Sequence, residues 1–327
     1  MALGMLTPPV HAQGAAATPA PAADERAAAM AAMRERQNAT PDTPGTGRYP
    51  ALKEETPSLP DHVVYRPADL GALGSRKLGV YVFGNGACSN DGASSRLHLL
   101  EIASHGYLAV APGRIRNGPG AIPPSNDPPP ARPPQSEPGK LPKPPTTAAD
   151  LLSAIDWAIA ENGRAGSPYF GRIDTAPIAI SGFSCGGLQA LQIAADPRVK
   201  TVIVMNSGIF NNNTQGISGI DVSKALLDKL HSPTLYILGG KTDIAYNNGM
   251  DDFRRIKHVP AFVGNIDVGH GGTYWEPNGG KAAAAVVAWL EWQLRGDAEA
   301  RKMFVGKDCG LCKDPAWQFE SSVTDAG

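Results

Sequence analysis

The sequence lacks any excess of charge. Its 30 Lys and Arg residues against 31 Asp and Glu leave a formal net charge of −1, which removes the electrostatic reason to expect nucleic acid or an anionic membrane as a partner. A long apolar run is also missing: no stretch approaches the roughly 18 residues a transmembrane helix needs, so no membrane span is expected. No internal repeat is visible. Cysteine is scarce, with four in 327 residues. Two of them form Cys309-Gly310-Leu311-Cys312 near the C-terminus. A thioredoxin-like redox role needs a βαβ setting that this tail does not have, and zinc would need further ligands. A local disulfide is the expectation there.

The N-terminus lacks the charged region and most of the apolar region of an export signal, although Val10-His11-Ala12 has the small-x-small form of a signal-peptidase site. Two readings stay open: a shortened signal with the mature chain starting near Gln13, or an Ala/Pro-rich leader of no targeting value. Export would favour disulfides. A periplasmic or secreted location is therefore expected, with a cytoplasmic one as the alternative.

What is present is material for a sizeable core, since 42% of residues are hydrophobic. Residues 1–55 are rich in Ala, Pro, Thr and charge and are expected to be a leader followed by disorder. Residues 56–327 are expected to form a single domain. Within it a proline-dominated surface loop spans 117–145 and a cysteine-containing tail spans 296–327. Short apolar runs at 78–83, 107–111, 177–180, 201–205, 234–238 and 261–266 read as strands. They alternate with helical patterns at 93–104, 147–159, 187–194, 222–230, 249–256 and 281–294. Strands of this kind separated by helices predict an α/β fold, with a mostly parallel central sheet flanked by helices on both faces. In such sheets chemistry sits at the carboxyl ends of the strands.

One motif lies there. Gly182-Phe183-Ser184-Cys185-Gly186 fits G-x-S-x-G, directly after an apolar strand and at the opening of a helix, the setting a nucleophile elbow requires. A serine hydroxyl becomes a good nucleophile only when an imidazole takes its proton and a carboxylate holds that imidazole. The partners are expected in the order acid, then histidine. Gly239-Gly240-Lys241-Thr242-Asp243 follows one strand, and Asp267-Val268-Gly269-His270 follows the last. Ser184, Asp243 and His270 are thus the expected catalytic residues, with Asp251 or Asp252 as alternative acids.

The element order, the elbow, the GGKTD acid loop and the VGH histidine loop resemble the α/β-hydrolase family over roughly residues 61–294. Glu101-Ile102-Ala103-Ser104-His105-Gly106-Tyr107 resembles the helix-to-strand junction of bacterial cutinases, polyester hydrolases and dienelactone-hydrolase-like enzymes. The resemblance implies acyl transfer to water without metal or cofactor. It also implies an oxyanion hole built from Cys185 and from the loop holding Ala87 and Cys88. Cys88 stands where the cutinase group has an aromatic residue, and dienelactone hydrolases have cysteine where Ser184 stands, so neither specific activity is implied. Cys88 and Cys185, on the two loops of that hole, are expected to form a disulfide or to remain two buried thiols. Phe183, Phe210, Tyr274 and Trp275 are candidate substrate contacts.

The expected partner is a small-molecule or polymeric ester of environmental or plant origin. An amidase, peptidase or polymer depolymerase on the same triad is the alternative, and a non-catalytic binding protein on this fold a further one.

Overall fold

The computed structural model describes residues 28, 31–32, 35–121, 140–212 and 216–323. Its centre is a nine-stranded sheet. The strands in chain order are β1 (Ala51–Thr56), β2 (Leu59–Pro67), β3 (Leu78–Gly84), β4 (Tyr107–Pro112), β6 (Ile173–Phe183), β7 (Val199–Met205), β9 (Thr234–Leu238), β10 (Ala261–Ile266) and β11 (Trp317–Ser321). In space they run β1-β2-β4-β3-β6-β7-β9-β10-β11. The six strands from β4 to β10 are mutually parallel, while β1, β2 and β11 pair antiparallel at the two ends. A separate two-residue parallel pairing joins β5 (Lys140–Leu141) to β8 (Gly216–Ile217).

Residue alternation along the strands builds two cores. Val80 and Val82 of β3 face α2 (Ala148–Gly163), α3 (Cys185–Ile193) and α4 (Tyr246–Arg255), packing with Ile155, Leu188 and Met250. Tyr81 and Phe83 face α1 (Arg96–Ser104) and α5 (Gly280–Arg295), packing with Leu99, Val286 and Trp289. Helix α2 opens as its sequence predicts: Thr147 and Asp150 form a reciprocal capping box, a device worth about 1 kcal/mol. The α/β class with helices on both faces is thus observed.

Two expectations need correction. The boundary at residue 55 falls inside β1, and the described residues just before it, 37–49, are tied down. Tyr49 is buried, and Asp42 pairs with the fully buried Arg96, which also donates to the Gln37 and Thr40 carbonyls. Within the expected domain the C-terminal stretch packs closely: β11 extends the sheet, and Phe304 and Phe319 join the aromatic cluster of Phe262, Trp289 and Trp292. The helix expected at 222–230 is a 3-10 turn, Lys224–Lys229. The central part of the proline-rich segment, 122–139, and the signal-like residues 1–12 lie outside the described residues.

Candidate active site

Five loops leave the carboxyl ends of the parallel strands β3, β6, β7, β9 and β10 and meet. The strands β3 and β6 pair directly, with Gly84 opposite Gly182, and each is followed by a tight turn. After β6, Ser184 takes φ 52° and ψ −119° before α3 begins at Cys185. A non-glycine residue at positive φ stores strain that its surroundings must hold. Here they do so by close backbone approach: a Cβ at Gly182 would lie 2.2 Å from the Gly186 backbone, and a Cβ at Gly186 would lie 2.1 Å from that of Gly84. The Ser184 N–H donates to the Met205 carbonyl at 2.9 Å, and the Ser207 hydroxyl donates to the Ser184 carbonyl at 2.6 Å.

His270, after β10, places Nε2 3.0 Å from Ser184 Oγ and Nδ1 2.6 Å from Asp243 Oδ1. Asp243, after β9, has a side chain with no exposed surface. It accepts from the Ala245 N–H on Oδ1, and from the Gly239 N–H and Asn206 Nδ2 on Oδ2, each at 2.9 Å. Burial pushes this carboxyl up, yet the bonds from His270, Ala245, Gly239 and Asn206 outweigh it and hold the group below the usual carboxylate range. The alternative acids are engaged elsewhere: Asp252 binds Lys224 and the Ile209 N–H, and Asp251 binds Lys224 and Arg255.

Sequence reasoning missed Asn206. It follows β7 at φ 45°, is buried, and bridges the loops of Asp243 and His270 by donating to both Asp243 and the Gly269 carbonyl, the latter at 3.2 Å. Its own Oδ1 accepts from the Tyr274 hydroxyl at 3.0 Å. The available signal was an Asn directly after an apolar strand, at the end of the sheet where the other site residues gather.

Cys88 and Cys185 are disulfide-bonded with Cα atoms 5.2 Å apart, as are Cys309 and Cys312 at 5.0 Å. The expected role of Cys88 as an oxyanion donor is corrected, because its N–H already donates to the Asn85 carbonyl at 3.0 Å. Among the described residues the N–H groups of Ala87 and Cys185 have no such partner, and both residues line the cavity above Ser184. Ala87 and Cys88 both hold positive φ, at 55° and 46°, so the disulfide fixes a strained turn to the residue after Ser184.

That cavity has a volume of about 660 Å³ and is walled by Phe183, Tyr274 and Trp275. Phe210 lines a smaller one of about 140 Å³ on the other side of Ser184. Tyr274 is also a packing residue, fully buried with its ring 4.5 Å from that of Phe183. No group of ligating side chains among the described residues could hold a metal ion, and no helix there is long and apolar enough to cross a membrane. The chain matches no protein-family model, and no curated protein matches it. The chemistry is therefore read from the geometry.

Proposed function

We propose that this chain is a serine hydrolase of the α/β-hydrolase family that cleaves a carboxylic ester through an acyl-enzyme. One observation carries the reading: a serine on a strained strand-to-helix turn, 3.0 Å from an imidazole whose other nitrogen lies 2.6 Å from a buried carboxylate. Asp243 holds the ring proton on Nδ1, leaving Nε2 free to take the proton of Ser184 as its Oγ attacks the ester carbonyl. The tetrahedral oxyanion accepts from the Ala87 and Cys185 N–H groups. His270 then protonates the leaving alcohol, water takes the alcohol's place, and the same imidazole takes the proton of that water to release the acid. No step requires a metal or cofactor.

The two disulfides fit an oxidising compartment such as the periplasm or the exterior. The test is turnover of short p-nitrophenyl esters against the matching anilides. Ester cleavage is expected to be the faster reaction, and Ser184→Ala should lower it by several orders of magnitude. Unchanged turnover in that variant would end the reading. Faster anilide cleavage would move the assignment to amides.

A further inference from the structure

The space around Ser184 is divided into two unequal lobes. Both touch Ser184, Cys185 and His270, and both are walled by Leu141 and Ile217, the paired residues of the β5·β8 ladder. That ladder thus contributes an apolar pair to the lining of each lobe. Leu141 is 61% exposed, although it is apolar. Its side chain and that of Ile217 are shared by the two lobes, so a ligand filling either lobe would touch them.

The larger lobe, about 660 Å³, is lined by the aromatic rings of Phe183 and Trp275, by the buried Tyr274, and by Pro142 and Pro144. The smaller lobe, about 140 Å³, is lined by Leu188, Phe210 and the exposed Ile244 and has room for only a few heavy atoms. No carboxylate among the described residues lines either lobe. Flat aromatic walls favour a flat group over a flexible chain, because stacking adds to plain burial and a ring loses fewer rotamers on binding.

Building on the ester-hydrolase reading, we infer that the substrate is an asymmetric ester, with one aromatic half in the large lobe and one half of only one or two carbons in the small lobe. Leu141 and Ile217 enforce the asymmetry. The aromatic half can be acid or alcohol; the chemistry that the lobes recognise is the same.

Four esters test this. Methyl hydrocinnamate and phenethyl acetate are isomers that carry the ring on the acyl and on the alcohol side. Methyl nonanoate matches their carbon count without a ring. Phenethyl hydrocinnamate is bulky on both sides. The faster of the two isomers should exceed methyl nonanoate and phenethyl hydrocinnamate in kcat/KM by about tenfold or more, and which isomer leads assigns the large lobe to acid or alcohol. Leu141→Ala, at an exposed position that the fold tolerates, and Ile217→Ala should each raise phenethyl hydrocinnamate relative to the leading isomer.

Equal rates for all four esters, preference for methyl nonanoate, or unchanged ratios in both variants would overturn the inference. Calorimetric binding of the same esters to Ser184→Ala protein separates it from the reading beneath it. The same order of affinities should appear there even if the unaltered protein cleaves none of them, an outcome that would sink the hydrolase reading alone. A flat order of affinities would sink the two-lobe inference whatever the turnover.

Discussion

Asp243 and Asp252 are both buried with no exposed side-chain surface, nine residues apart in one loop-and-helix unit after β9, and their carboxyls are displaced in opposite directions. Burial raises both. At Asp243 two backbone N–H groups, an amide and an imidazole reverse the effect and leave the group more acidic than usual. At Asp252 burial wins even against Lys224 at 2.6 Å and the Ile209 N–H, and the carboxyl is pushed up to about 6. Burial alone therefore does not make a catalytic acid. What separates the two is the ring of donors around Asp243, which holds its carboxylate charged beside His270, as the proposed mechanism requires.

The contrast breaks most sharply by mutation. Asp243→Asn should lower kcat for a short ester by about 10⁴, the scale seen when a triad imidazole loses the carboxylate that fixes its tautomer. Asp252→Asn should change it less than tenfold. A severe Asp252→Asn with a silent Asp243→Asn would reverse the acid assignment. The donor ring is tested by Asn206→Gly, which removes the amide without straining a position at φ 45°. We expect a loss of up to about a hundredfold in kcat with KM little changed, the scale of a misaligned catalytic group. Equal changes in both constants would assign Asn206 to binding instead.

The disulfides repeat the contrast between a tie that orients and one that only holds. Cys88 and Cys185 are 97 residues apart, whereas Cys309 and Cys312 are separated by 3. Cys88→Ser/Cys185→Ser should cost up to about 5 kcal/mol of stability on loop-closure grounds and should also lower kcat, because the proposed oxyanion donors of Ala87 and Cys185 lose their brace. The Cys309→Ser/Cys312→Ser protein should keep kcat and lose little stability. Denaturant melts and steady-state kinetics on both proteins decide this.

The smallest effect is one of sign. Asp243 is more acidic folded than unfolded, so its contribution to stability is present above the unfolded value near pH 4 and is lost as pH falls through the lower folded value. Asp252 is less acidic when folded, so its contribution is present below about pH 4 and is lost as pH rises toward about 6. Between about pH 4 and 6 the Asp252→Asn protein should lose less stability on alkalinisation than the parent, by about 2 kcal/mol. Parallel curves would mean that Asp252 titrates normally.

Much of this was legible in the sequence where strands are buried on both faces. The parallel strands β3, β4, β6, β7, β9 and β10 announce themselves as continuous apolar runs. The antiparallel edges do not. In β1, Ala-Leu-Lys-Glu-Glu-Thr is half-exposed along its whole length, and β2 opens with Leu-Pro-Asp-His, so neither stands out among the apolar runs. Ser184, Asp243 and His270 were readable because each follows an apolar run, and the structure brings these three together. Which N–H groups face the oxyanion was not readable. It turns on one bond, from the Cys88 N–H to the Asn85 carbonyl, that only a folded turn defines. Asn206 and the Leu141–Ile217 pair were hidden for a related reason, since their partners lie far away in sequence.

The central claim is that Ser184, activated by His270, is the nucleophile. Reaction with an excess of a fluorophosphonate, followed by intact mass and peptide mapping, tests it whatever ester the protein cleaves. One phosphonyl adduct per chain should appear on Ser184. Ser184→Ala should give none, and His270→Ala should be labelled at least about a hundredfold more slowly, since general-base assistance is worth that much or more. An unlabelled parent protein, or an adduct on any other residue, would contradict the account.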